Sequence, residues 1–259
     1  MMLTLRGMIN FIKINRSAEG QRLRITVLVE KNGHGLRDNK PTGINYDSIV
    51  LDFFKEFYAF AKKHDLFVFT DEIYEHFLYG DCRHIPPATL PGMKERTITI
   101  SGLSKTFSIT GWRIGYCICD ARWTTAIGFF SDLVYVCAPA PLQSGVAKGL
   151  RELDFDYYRG LSRMFREKRD KICDALSKAK LRPNIPDGAY YVLADISALP
   201  GNNSRERAMY LLRETGVACV PGEAFYHDGS GEDLARFCFA KDDDVLAEAC
   251  RRLASLKAS

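Results

Sequence analysis

Thr97-Ile98-Thr99-Ile100-Ser101-Gly102-Leu103-Ser104-Lys105-Thr106-Phe107-Ser108-Ile109-Thr110-Gly111-Trp112-Arg113-Ile114-Gly115-Tyr116 is the stretch on which the fold is read. Its first four residues predict a short buried strand, and Arg113 to Cys119 predict another. Between them lie small and hydroxylated residues, one lysine, and an arginine eight positions after it. Upstream, Leu66-Phe67-Val68-Phe69-Thr70 reads as a buried strand. It follows a helix over Asp47 to Lys63, whose apolar face is Ile49, Val50, Phe53, Phe54, Phe57, Phe60 and Ala61. Lys62-Lys63-His64 suits the negative end of that helix. Short apolar strands separated by helices predict an α/β fold with a mainly parallel sheet.

Downstream, the pattern changes. A long polar helix is expected over Asp154 to Ala179, then strands near Tyr190 to Leu193 and Arg236 to Phe239. Helices are expected at Ser204 to Thr215 and Asp243 to Leu256, so this part reads as a smaller α+β domain. The expected division is 1–38, 39–152 and 153–259. In the first segment Ile25 to Val29 suggests a strand, ended by the breaker-rich Lys31-Asn32-Gly33-His34-Gly35. No helix–strand rhythm there matches the rest.

Composition narrows the function. The 259 residues carry a net charge of +4 with no dense Lys/Arg block, which argues against a nucleic-acid surface. No apolar run approaches a membrane span, and Met1 to Ile14 does not read as a signal peptide. Eight scattered cysteines, most in apolar surroundings, are expected to be buried reduced thiols, which implies a cytoplasmic protein. Five isolated histidines show no ligand spacing, so no metal site is expected.

Three clusters carry chemistry. Lys105, at a strand end in mainly apolar surroundings, can serve as a nucleophilic amine, and Ser101, Ser104 and Arg113 are suitable phosphate ligands. Asp71-Glu72-Ile73-Tyr74 follows the Leu66 strand, where ligands bind in open α/β sheets. Taken alone, Asp71 is as readily a helix cap and Tyr74 a core residue. In Leu234-Ala235-Arg236-Phe237-Cys238-Phe239-Ala240 an arginine opens an apolar strand. Burial there demands a partner, either a substrate carboxylate or an internal acidic side chain.

Together these strings resemble the class I/II aminotransferases of the fold-type I pyridoxal-phosphate family. The resemblance assigns Lys105 to covalent attachment of pyridoxal 5'-phosphate and Arg113, with Ser101 and Ser104, to its phosphate. It assigns Asp71 to the pyridine nitrogen, Tyr74 to the phenolate oxygen and Arg236 to the substrate carboxylate. Val220-Pro221-Gly222-Glu223-Ala224-Phe225 and Pro186-Asp187-Gly188-Ala189-Tyr190-Tyr191 are similar to small-domain family motifs, and core packing is the expected role of Tyr190 and Tyr191. The family's Asn-Pro-Thr-Gly turn departs here to Asn39-Lys40-Pro41-Thr42-Gly43, which displaces Asn39 by one position from its cofactor contact.

The resemblance implies amino-group transfer between an amino acid and a 2-oxo acid, in a homodimer when complete. A lyase on the same scaffold and an inert truncated family member are the alternatives. Family members are considerably longer, and the portion preceding the Asn39 turn is the part expected to be missing. Without it, the sheet is expected to expose apolar edges and faces.

Overall fold

The computed structural model describes residues 11–16, 23–28, 56–226 and 229–256, the first two ranges as backbone only. Asn39 and residues 47–55 of the expected first helix lie outside them; residues 56–63 are helical (α1). The chain divides into two compact units. One gathers the described residues up to Ile73 with Ile85–Leu153; the other joins Tyr74–His84 to Asp154 and all that follows.

The first unit holds a five-stranded sheet of β1 (Phe11–Arg16), β2 (Leu23–Leu28), β3 (Phe67–Asp71), β4 (Thr97–Gly102) and β5 (Gly115–Ile118), in that spatial order. The pairs β2–β3 and β3–β4 are parallel, whereas β1–β2 and β4–β5 are antiparallel. The sheet is therefore mixed, which corrects the expectation of a mainly parallel one. For β4 and β5 the reason is what the connection contains: residues 103–114 hold only a one-turn helix, α2 (Leu103–Thr106), and a 3-10 turn at Thr110–Trp112. A parallel return usually runs through a full helix laid across the sheet, and this connection has none. The backbone pairing also runs through the segment that sequence alone sets apart, because β2 lies beside β3.

Two helices complete this unit, α3 (Ala121–Tyr135) and α4 (Ala140–Glu152). The Asp120 carboxylate caps α3 by accepting from Arg122 N at 3.0 Å. Trp123 then ties its first turn to the sheet: the indole meets Phe67 edge to face at 4.6 Å and donates to the Glu95 carbonyl at 3.2 Å.

The second unit has an antiparallel sheet in the order β6 (Arg182–Asn184), β7 (Tyr191–Asp195), β9 (Leu234–Cys238), β8 (Val220–Pro221). Its helices are α5 (Phe155–Lys178), α6 (Ser204–Thr215) and α7 (Asp243–Ala254). In α5 the Asp154 carboxylate caps the amides of Asp156 and Tyr157. Leu161, Phe165, Lys168, Ile172 and Leu176 then recur at helical spacing to make one buried stripe. The single charge in that stripe, Lys168, donates to Asp243 Oδ1 at 2.7 Å and to the Lys241 carbonyl at 2.6 Å. This pairing ties the start of α7 to α5 while keeping a buried ammonium satisfied.

Tyr74–His84 belongs to this unit because its side chains complete the core. Phe77 and Tyr79 are buried among Phe165, Tyr190 and Phe239. Leu78 bridges to Gly188, and the amides of Tyr79 and Ala189 bond to the Asp187 and Phe77 carbonyls.

The eight cysteines are free, but they are not uniformly buried as expected: Cys82, Cys117 and Cys137 are exposed. Apolar neighbours mislead at Cys117 because β5 is exposed along its whole length. Cys173 is buried, and that burial pushes its thiol up to about 11. Among the described residues no helix is long and apolar enough to cross a membrane.

Candidate active site

The first unit places the lysine segment at the carboxyl ends of its parallel pair. In the β3–β4 register Asp71 lies opposite Ile100, one residue before Ser101. Lys105 follows within the α2 turn that leaves β4. Ligands bind in open α/β sheets at this end of the strands. Asp71 is exposed and its Oδ1 accepts from the Ile73 amide at 3.3 Å. Ser101 is buried and donates to the Glu72 carbonyl at 3.4 Å.

Arg113 occupies the left-handed region at φ 59°, a conformation that costs a non-glycine residue about 1 kcal/mol or more. Its Nη1 donates to the Thr110 carbonyl at 3.1 Å, and the Thr110 hydroxyl donates to the Ser104 carbonyl at 3.1 Å. These bonds curl the segment on itself, so that Arg113 and Ser104 belong to one compact turn. The guanidinium is exposed and has no acidic partner among the described residues.

Helix α4 supports this turn from below. A Cβ at Gly145 would come within 3.0 Å of the Trp112 ring, and one at Gly149 within 3.1 Å of Phe107. Two glycines one helical turn apart thus let the rings flanking the lysine segment approach the α4 backbone. Leu103, Ile114 and Val146 form the small core there.

Beneath the strand ends, Glu72 is a buried carboxylate that sequence reading passes over. Its Oε1 accepts from Thr70 at 2.6 Å and Thr99 at 3.2 Å, while its amide bonds to Ile100 O. It fastens the end of β3 to β4 next to Asp71. The sequence signal is slight: a carboxylate following a strand, with threonines on both neighbouring strands. Burial and the Glu72 charge push the Tyr58 phenol upward.

The second unit holds the other two assigned residues. Tyr74 sits in an aromatic cluster, edge to face with Tyr190 at 5.0 Å and Tyr191 at 6.2 Å. Burial, then hydrogen bonding with those two phenols, pushes its hydroxyl well above the usual tyrosine range. Tyr190 is core, while Tyr191 lies under Arg236. The Arg236 guanidinium is stacked between Tyr191 at 4.2 Å and Phe225 at 4.4 Å. It has no acidic partner among the described residues, and its Nε is buried without a hydrogen-bond partner. Phe225 was legible only as part of a motif; its stacking role was not.

Residues 39–253 match the aminotransferase class I and II family. The chain belongs to that family. Among curated aminotransferases, the chain is 38% identical over 210 residues to the kynurenine–oxoglutarate transaminase of Dictyostelium discoideum, covering 73% of this chain and 48% of that one. It is 36% identical over 200 residues to an aspartate aminotransferase of Pyrococcus abyssi, covering 77% and 51%. In three dimensions it is similar to a methionine aminotransferase structure from Escherichia coli, with TM-score 0.74 and 32% identity over 78% of this chain and 53% of that one. The chain spans about half the length of the aminotransferases it matches.

Proposed function

We propose that this chain carries the cofactor-attaching and substrate-carboxylate residues of a pyridoxal-phosphate-dependent enzyme that transfers an amino group between an amino acid and a 2-oxo acid. The observation that carries the reading is the Lys105 segment at the carboxyl end of β4, with Asp71 at the neighbouring end of β3. The donor set fits the group: a primary amine for its aldehyde, a carboxylate for its pyridine nitrogen, and a guanidinium with serine hydroxyls for its phosphate. When bound, pyridoxal phosphate supplies an electron sink for charge developing at the substrate Cα.

The chain's own residues divide the remaining work. Asp71 holds the proton on the pyridine nitrogen. Arg113, Ser101 and Ser104 anchor the phosphate. The raised Tyr74 phenol stays protonated at neutral pH and donates to the ring's phenolate oxygen. The Lys105 amine would take the proton from the substrate Cα as a base and give it back as an acid. Arg236, pre-stacked and lacking an anionic partner among the described residues, would orient the substrate carboxylate through its planar fork. The named relatives act on kynurenine, aspartate and methionine, so their names support the amino-acid class and no single donor. Homodimer formation and a cytoplasmic setting belong to the same proposal, the latter supported by eight free cysteines.

The test is covalent incorporation. Purified chain mixed with pyridoxal phosphate and reduced with borohydride is expected to carry the cofactor mass on the peptide containing Lys105, and Lys105→Ala to lose it completely. Incorporation that survives Lys105→Ala overturns the assignment. Loaded protein is then screened with amino donors and 2-oxoglutarate, which separates amino transfer from lyase chemistry. A second reading, a chain inert by itself, is favoured by the apolar surface that α3 leaves in solvent. Failure of the unaltered chain to incorporate cofactor selects it.

A further inference from the structure

Arg236 is a partly buried cation with no acidic partner among the described residues, and strand alternation explains how it is held instead. Val192 of β7 and Phe237 of β9 enter the core, so Tyr191, Arg236 and Cys238 share the opposite face of the sheet. In the antiparallel register Leu193 stands opposite Arg236 and Tyr191 opposite Cys238. Tyr191 is therefore the diagonal neighbour of Arg236, close enough for long side chains to meet. Its ring centre lies 4.2 Å from the guanidinium carbon.

The second ring comes from the other side of β9. Val220 of β8 pairs with Arg236, and the 3-10 turn Gly222–Ala224 then brings Phe225 to 4.4 Å. This turn has little room to shift. The Glu223 amide donates to Ser204 Oγ at 3.1 Å and the Phe225 amide to the Gly222 carbonyl at 2.8 Å. A Cβ at Gly222 would collide with the Gly231 carbonyl.

Stacking and hydrogen bonding use different parts of a guanidinium. Rings cover its faces, while its N–H donors lie in the plane and stay available. A carboxylate partner would also hold the cation, but it would occupy the fork. The aromatic contacts thus fix Arg236 and leave its edge for an incoming anion. Tyr191 has a second contact as well: its ring meets Tyr74 edge to face at 6.2 Å, and the two hydroxyls hydrogen-bond.

We propose that Tyr191 is a positioning residue whose ring aims the Arg236 fork and whose hydroxyl holds the Tyr74 phenol. One side chain then touches both the group assigned to the substrate carboxylate and the group assigned to the cofactor's phenolate oxygen. The hydroxyl's role rests on the cofactor reading given above; the ring's role rests only on carboxylate binding at Arg236.

Two substitutions in the full chain separate these roles. Tyr191→Phe removes only the hydroxyl, and Tyr191→Leu removes the ring as well. Calorimetric titration of 2-oxoglutarate into the chain without cofactor reads the ring. Tyr191→Leu is expected to weaken binding roughly 3- to 30-fold, and Tyr191→Phe to stay within about twofold. Phe225→Leu, on a different element, is expected to match Tyr191→Leu and carries the test if far-UV spectra show that Tyr191→Leu fails to fold. Absorbance of the chain loaded with pyridoxal phosphate, titrated against pH, reads the hydroxyl. A phenol donating to the ring oxygen draws off negative charge that favours protonation nearby. Both Tyr191 variants are therefore expected to raise the midpoint by about 0.5 pH unit or more, and Phe225→Leu to leave it in place.

Equal effects of the two Tyr191 variants on 2-oxoglutarate overturn the ring's role, as does an unaltered chain that binds none. A midpoint that Tyr191→Phe leaves unmoved overturns the hydroxyl's role. If borohydride fixes no cofactor at Lys105 in the unaltered chain, the cofactor reading has failed and the hydroxyl's role falls with it, whereas calorimetry still decides the ring's.

Discussion

The two units of this chain bury their apolar residues to very different degrees. In the second, β7 and β9 carry Val192, Ala194, Ala235 and Phe237 into a core shared with Leu176, Leu211 and Leu246, all nearly inaccessible to solvent. In the first, no residue of β5 or α3 is fully buried, although both carry large apolar side chains. Apolar character therefore predicts that a residue needs a partner without saying that the described chain provides one. The same contrast separates two arginines, each described within its own unit. Arg236 is held by packing on both faces, whereas Arg113 is held by its own turn.

The contrast can be broken most directly by truncation. Leu176→Ala is expected to destabilise the second unit by about 2–5 kcal/mol, since its fully buried side chain leaves a cavity. Leu133→Ala in α3 is expected to stay within about 0.5 kcal/mol in the isolated chain. Urea titration of both variants checks this; comparable losses would mean that α3 is packed after all.

Next in size is Arg236→Lys, which keeps the charge but loses the fork. The KM for amino donor is expected to rise roughly 10- to 100-fold, the range for losing a hydrogen bond to a charged group. Borohydride-fixed cofactor at Lys105 is expected to be unchanged. Loss of both would place Arg236 in the structural framework instead.

The smallest effect concerns Asp243. The hydrogen bond from Lys168, and then its charge, hold this carboxyl below the usual range. A depressed folded pKa contributes stability above the unfolded value of about 3.9, lost as pH falls through the folded pKa. Asp243→Asn is therefore expected to lower the melting temperature at neutral pH and to flatten its decline below about pH 4. An unchanged acid limb in melts from pH 2 to 7 would remove this pair from the acid response.

The sequence conceals α3 and α4 for separate physical reasons. In α3, apolar residues occupy most of the helix circumference, so no amphipathic period stands out. In α4, Gly145 and Gly149 lower helix propensity in the positions that admit Trp112 and Phe107. By contrast, Ser204–Thr215 is legible from its flanking residues, because Asn203 accepts from the Glu206 amide and Gly216 ends the helix at φ 71°.

By itself, the sequence determined the family through residues close together in the chain: the Lys105 segment, Asp71 with Tyr74, and the Arg236 strand. It also determined the strands and helices whose hydrogen bonds and periodicity are local. Only the tertiary structure decided that β5 returns antiparallel to β4, that Tyr74–His84 packs with the second unit, and that Tyr191 and Phe225 clasp Arg236. Each depends on contacts between residues far apart in sequence, whose geometry no local pattern encodes. The uncovered α3 face belongs with them, because exposure depends on which neighbours the fold brings alongside.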